Sequence, residues 1–138
     1  MRRKTSQRDA IIQVFNDAGA PLTPQEILEE SQKTTPGIGI ATVYRAVKEL
    51  ALEGWLSSVE IPGDPTRYER ADLPHHHHFH CRLCQRVFDV HACPGNLKGL
   101  TPAGFRMEGH EIILRGVCAE CQASEAASSI TSTANPSP

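Results

Sequence analysis

Pro74-His75-His76-His77-His78-Phe79-His80-Cys81-Arg82-Leu83-Cys84 holds five of the chain's seven histidines and two of its five cysteines. In an extended chain, successive side chains point to opposite faces. His76, His78 and His80 then share one face of the stretch, and His75 and His77 the other. One strand can therefore feed two separate metal sites, and the Cys-x-x-Cys that follows can open a third. A histidine run in a solvated loop is the plain alternative. The second Cys-x-x-Cys, Cys118-Ala119-Glu120-Cys121, argues against it.

Cys81, Cys84, Cys118 and Cys121 can close a tetrahedral four-thiolate site across residues 85–117. Such a site has no open position and no exchangeable water, so its natural use is a structural zinc that ties a small domain together. A pair of redox Cys-x-x-Cys switches is the competing reading. His76 and His78 need two or three further donors, and Glu69 and Asp89 are the best-placed carboxylates by chain order. His75, His77 and His110 form a candidate second site. His91 and Cys93 are spare donors that can join either, although His91 reads equally well as a surface histidine. Mixed histidine and carboxylate sites bind reversibly and with pH dependence, as sensing requires. The same residues read as a zinc enzyme would need an open water and a general base, and no His-Glu-x-x-His pattern is present.

Only 39% of the 138 residues are hydrophobic and 5% aromatic, so two small cores would each be marginal and would gain from a metal staple. The net charge is −2. Residues 1–74 carry nine Lys/Arg against eleven Asp/Glu, and residues 75–138 five against five. Neither half is basic, so nucleic-acid binding must rest on local clusters: Arg2, Arg3, Lys4 and Arg8, and Arg45 with Lys48. Met1 leads straight into charge with no apolar segment, so the expected compartment is the cytoplasm, without membrane attachment. There, paired cysteines read as metal ligands before disulfides.

Ahead of the histidine run the pattern is helical. Residues 6–18 carry an apolar stripe of Ala10, Ile11, Val14, Phe15 and Ala18, with Gly19 expected as a left-handed terminator. Thr23-Pro24-Gln25-Glu26 combines an N-cap, Pro at the first helical position and Glu at the third: a capping box. A third helix spans about 41–53, with Val43, Val47, Leu50 and Ala51 inward and Gly54 at its end. Trp55–Ile61 and Arg67–Arg70 flank Pro62-Gly63-Asp64-Pro65 as a hairpin. Three helices and a hairpin predict a winged helix-turn-helix over residues 1–72. A protein-binding winged helix is the alternative; Thr42, Tyr44, Arg45 and Lys48 on the third helix favour DNA, with Arg8 in a flexible basic arm adding salt-sensitive attraction. Further strands are expected at 87–90 and 111–115, with room for only a short helix between them. Residues 123–138 read as a disordered tail. The fold class is α+β: a winged helix followed by a small α/β dimerisation and metal-binding domain at 73–122.

Gly39-Ile40-Ala41-Thr42-Val43-Tyr44-Arg45 and the ordered series His75–His78, Cys81-x-x-Cys84, His110, Cys118-x-x-Cys121 resemble the ferric uptake regulator family over roughly residues 5–122. The resemblance implies a dimeric, metal-responsive DNA-binding repressor. It assigns Glu69, His76, His78 and, commonly, an acidic residue at Asp89 to a sensory site. It assigns His75 and His110 to a second site, the four cysteines to structural zinc, and Tyr44 and Arg45 to DNA. Three departures stand out. Ala20-Pro21-Leu22 offers no ligand where many members have a bridging histidine, His77 replaces an aspartate, and a glutamate is missing around Cys93–Asn96. Zinc is the expected sensed metal ahead of iron or manganese, since the donors are histidine-rich with a spare thiol. The expected partners are double-stranded operator DNA and a second copy, without a small-molecule substrate.

Overall fold

The computed structural model describes residues 2–95 and 97–128. Three helices come first: α1 (Arg2–Asp17), α2 (Pro24–Gln32) and α3 (Ile40–Leu52). The capping box forms: the Glu26 N–H donates to Thr23 Oγ1 at 3.1 Å, and the Thr23 N–H donates to Glu26 Oε1 at 3.0 Å. α3 buries Val43, Ala46, Val47 and Leu50 against Ile11 and Phe15 of α1 and Ile27 of α2. Ala46, not the expected Ala51, completes that stripe. At 3.6 residues per turn Ala46 lies beside 43, 47 and 50, while Ala51 rotates out to solvent.

Two other expectations are corrected here. Gly19 is not left-handed: the Ala18 N–H bonds back to Val14 O at 3.0 Å, and the chain runs on into an antiparallel bridge between Leu22 and Tyr68 without reversing. Gly54, with φ of +83°, does supply the left-handed stop after α3. Nor is the basic amino end a flexible arm. It is helical from Arg2, and Arg8 pairs with Glu53 at 2.9 Å and Glu49 at 3.4 Å.

β1 (Leu56–Val59) and β2 (Arg67–Arg70) pair antiparallel and complete a winged helix-turn-helix. The second unit is a three-stranded sheet in the order β4-β3-β5. Its central β3 (His77–Cys81) runs antiparallel to β4 (Val87–Val90) and parallel to β5 (Ile113–Gly116). The Gly- and Pro-rich connection holds only a 3-10 turn, Lys98–Leu100, as its composition predicts. After β5 comes α4 (Ala119–Ser128), which corrects the tail reading: the helix continues through residues 123–128, where Ala and Glu favour it and no Gly or Pro stops it. The rest of the expected tail, 129–138, lies outside the described residues.

Register decides which way each histidine points. His77 stands opposite Val90 and His78 opposite Asp89, so His78 and Asp89 share a face with Val87 and His80, while His77, Phe79, Cys81 and Phe88 share the other. The first face looks toward the wing. On the second, Phe79 lies against Gly116, where a Cβ would come within 3.1 Å of its ring.

The two units are joined through Arg67. Its guanidinium is only 3% exposed and touches four segments: Nε donates to Asp64 Oδ2 (2.7 Å), Nη1 to Glu26 Oε1 (2.7 Å) and Pro21 O (3.2 Å), and Nη2 to Gln85 O (2.6 Å). Gln85 is the turn between Cys84 and β4. Removing one partner of a buried ion pair leaves an uncompensated charge, here the 6% exposed Asp64, at a cost of about 3–5 kcal/mol. Arg67→Met is therefore expected to lower the free energy of unfolding by that much, and the urea midpoint with it. A wild-type midpoint in urea would show that the latch contributes nothing.

Candidate metal centres and nucleic-acid interface

Strand alternation sends His76 and His78 to one cluster and His75 and His77 to another, and the fold brings Glu69, Asp89, His110 and Cys93 to them. In the first, Glu69 comes from β2, His76 from just before β3, His78 from β3 and Asp89 from β4; their ligand atoms all lie within 4.8 Å of one another. His76 Nε2 is 3.0 Å from Glu69 Oε2 and 3.6 Å from Asp89 Oδ1, and His78 Nε2 is 3.4 Å and 3.6 Å from the corresponding carboxylates. Metal–ligand bonds of about 2.0 Å set neighbouring vertices of a tetrahedron about 3.3 Å apart, so the spacing suits a single small cation. Asp89 Oδ1 is buried without a hydrogen-bond partner, a cost that a cation would remove.

Electrostatics within this cluster are opposed. Burial pushes the Glu69 carboxyl up, but hydrogen bonds from His78 and His76 outweigh it and hold the group below the ordinary carboxylate value. Asp89 is raised, by burial and by the nearby Glu69 charge. For His76, burial favours the neutral ring, yet the Pro74 carbonyl on Nδ1 and the Glu69 carboxylate leave it raised. The Pro74 contact (2.8 Å) also keeps the Nδ1 proton in place, which leaves Nε2 free to ligate. His80, on the same face, stays outside the cluster with its Nε2 3.9 Å from Asp64 Oδ1.

The second cluster joins His75, His77 and His110 with Cys93, which chain order left unplaced. His91 belongs to neither cluster; it is exposed, with its ring 6.0 Å from that of His76. Burial and the neighbouring imidazoles His75 and His110 lower the His77 pKa, so the ring is held neutral. Its Nδ1 accepts the Ile112 N–H at 3.2 Å, and its Nε2 faces Cys93.

Cys81, Cys84, Cys118 and Cys121 converge as a third cluster. Cys84 Sγ and Cys118 Sγ are 3.9 Å apart, against about 3.8 Å for the edge of a tetrahedron with zinc–sulfur bonds of about 2.3 Å. Burial pushes the Cys81 thiol up, but backbone N–H groups of Cys84, Cys118 and Leu83 outweigh it and bring the thiol down to about 6. Cys121, pushed up by burial and by the other sulfurs, stands at about 12. Four thiols this close cannot all ionise without a cation among them. Convergence of both pairs on one point also disfavours two independent redox switches.

The outer face of α3 presents Tyr44, 58% exposed, with Arg45 and Lys48, also exposed, and the half-buried Thr42; Arg45 Nη2 donates to Thr42 Oγ1 at 3.3 Å. Arg8, on α1, reaches the carboxyl-terminal end of α3. Its pairs with Glu49 and Glu53 offset acidic charge that would repel a phosphate backbone, which is a different task from the expected contact by a free arm.

The model of the ferric uptake regulator family matches residues 2–115. The chain belongs to that family. Members of the ferric uptake regulator family are metal-responsive transcriptional regulators, not enzymes, and this chain is one of them. A ferric uptake regulation protein of Campylobacter jejuni is 29% identical over 122 residues, covering 85% of this chain and 78% of its own. The Helicobacter pylori ferric uptake regulator, whose structure is described as revealing three functional metal binding sites, matches with a TM-score of 0.64 at 27% identity, over 85% of this chain and 80% of that one. A zinc-bound manganese uptake regulator matches with a TM-score of 0.72 at 27% identity, over 81% and 87%. Among the described residues no helix is long and apolar enough to cross a membrane.

Arg67 was missed from sequence. Its only signal there was a charged residue opening a strand three residues after Asp64.

Proposed function

We propose that this regulator is a zinc-responsive repressor that binds operator DNA as a cytoplasmic homodimer, with Glu69, His76, His78 and Asp89 as its sensory site. The observation that carries this is the origin of the ligands. Glu69 lies on the wing, while His76, His78 and Asp89 belong to the sheet unit. A divalent ion held there would offset the two carboxylates and give the four side chains one common partner. Holding Glu69 against β3 and β4 fixes the wing, and through it α3, relative to the sheet. Two copies then present their α3 helices at a set separation. Coupling of this kind works only if the ion binds the DNA-competent arrangement more tightly than any other. It also supplies the domain link that Ala20-Pro21-Leu22 cannot, since no side chain there offers a ligand.

Zinc is favoured by five histidine donors and a thiol across the first two clusters, the borderline-soft set that suits it. For dimerisation, the support is the exposed apolar surface of the sheet unit, with Leu100 and Phe105 more than 70% exposed and Leu114 at 47%. The four cysteines would hold structural zinc.

The test is binding to DNA upstream of its own gene, at fixed salt, across buffered free zinc, iron(II) and manganese(II). Zinc-selective, saturable binding is expected. Selectivity for iron or manganese would overturn the zinc assignment, and metal-independent binding the sensory one. On the DNA side, Arg45→Ala is expected to cost about 1–3 kcal/mol and relax sequence preference, as loss of a base contact does, whereas Lys48→Ala should weaken all sequences alike and lower the salt slope by about one. Unchanged affinity and slope in both variants would remove α3 from the interface.

A further inference from the structure

The second cluster has a donor set unlike the other two. It contains three imidazoles and one sulfur, and among the described residues no carboxylate belongs to it. Cys93 Sγ lies 3.3 Å from His77 Nε2, 3.3 Å from His110 Nε2 and 3.6 Å from His75 Nε2, and the His75 and His110 Nε2 atoms are 3.3 Å apart. A tetrahedral ion with nitrogen bonds of about 2.0 Å and a sulfur bond of about 2.3 Å requires nitrogen–nitrogen edges of about 3.3 Å and nitrogen–sulfur edges of about 3.5 Å. The donors stand close to those vertices already.

We propose that Cys93 is a metal ligand, and that its thiolate makes the second centre a tetrahedral three-histidine, one-cysteine site for a thiophilic divalent ion. The inference rests on the reading that the second cluster holds a metal, and goes beyond it by assigning the site's selectivity to one residue. The backbone favours ligation: the Gly95 N–H donates to Cys93 Sγ at 3.4 Å, which holds the sulfur in place, and Gly95 adopts φ of +78° where a side chain would be strained. Manganese(II) and iron(II) favour oxygen donors and higher coordination numbers than a closed set of three nitrogens and a sulfur offers. The first centre, with two nitrogens and two carboxylates, discriminates less. The two centres therefore differ in what they accept: the Cys93 centre selects zinc over manganese(II) more strongly than the Glu69 centre.

Cobalt(II) is a suitable probe, because a thiolate bound to it produces a sulfur-to-metal charge-transfer band in the near ultraviolet. In a His76→Ala protein with zinc filling the four-cysteine site, added cobalt(II) should bind and produce this band together with the strong visible bands of a tetrahedral ion. Adding Cys93→Ser should remove the charge-transfer band and lower zinc affinity by at least about tenfold, the lower end of what loss of even a supporting partner costs a metal site. Cys93→Asp should narrow the ratio of zinc to manganese(II) affinity. Cobalt(II) that binds with the same spectrum in the Cys93→Ser background overturns the proposal alone. A protein that takes up no further cobalt(II) with Cys93 intact overturns the proposal and the metal reading of the cluster together. Because Cys93 is exposed, its replacement leaves the buried core untouched, and circular dichroism checks the fold independently.

Discussion

His76→Ala is expected to remove the metal response of DNA binding while leaving the fold and the four-cysteine centre in place. His76 touches both carboxylates of its cluster and is the residue whose Nδ1 is already committed to the Pro74 carbonyl, so Nε2 is the atom it turns to them. Without it, three donors remain, and Glu69 and Asp89 face each other with one fewer imidazole between them. Coupling free energies between an effector and a second ligand are typically about 1–3 kcal/mol, or roughly 5–150-fold in affinity. Operator affinity of the variant at saturating zinc should therefore fall by that factor, to the level of metal-free wild type. Anisotropy of labelled operator DNA measures it, with unchanged binding in excess chelator as the control. A variant that still tightens on DNA when zinc is added would place the sensory site elsewhere.

Cys81→Ser is expected to have a still larger effect, on structure. The winged helix has a contiguous core of Ile11, Phe15, Ile27, Ile38, Val43, Val47 and Leu50. The sheet unit has little comparable: among the described residues its buried apolar ones are Val87 and the two cysteines Cys81 and Cys118. Too small an apolar interior is commonly compensated by a metal, and structural zinc in small domains is worth on the order of 10 kcal/mol. Loss of one thiolate should therefore release the zinc and unfold β3, β4, β5 and α4 while the winged helix persists. Hydrogen exchange can separate these outcomes: amides of the sheet unit should lose protection and those of α1–α3 should keep it. Uniform wild-type protection would mean that the sheet stands without its metal.

How much of this was legible beforehand follows from the range of the interactions. The alternation of the histidine run, the capping box at Thr23 and the paired cysteines are local patterns, and each appears in the structure as read. Ala51 and Gly19 were misjudged because helix phase and helix ending depend on what the next segment packs against. α1 swallowed the expected arm for a similar reason: its apolar stripe docks on α2 and α3, and Arg8 finds carboxylates on α3 that lie 41 and 45 positions away. Residues 123–128 extended the last helix because an Ala-rich segment follows a helix already started at the cysteine knuckle.

By itself the sequence determined the inventory of this protein: a winged helix, a strand presenting histidines on two faces, four thiols able to meet, and the metal-responsive family these imply. Those properties reside in periodicity and spacing along a few residues. Tertiary structure alone decided the assignments across the chain. It brought Cys93 to the second cluster and left His91 out, and it buried Arg67 between two carboxylates and two carbonyls. Each depends on strand register and on loop closure between segments far apart in sequence, where a shift of one residue in β3 would exchange the faces and with them the metal sites.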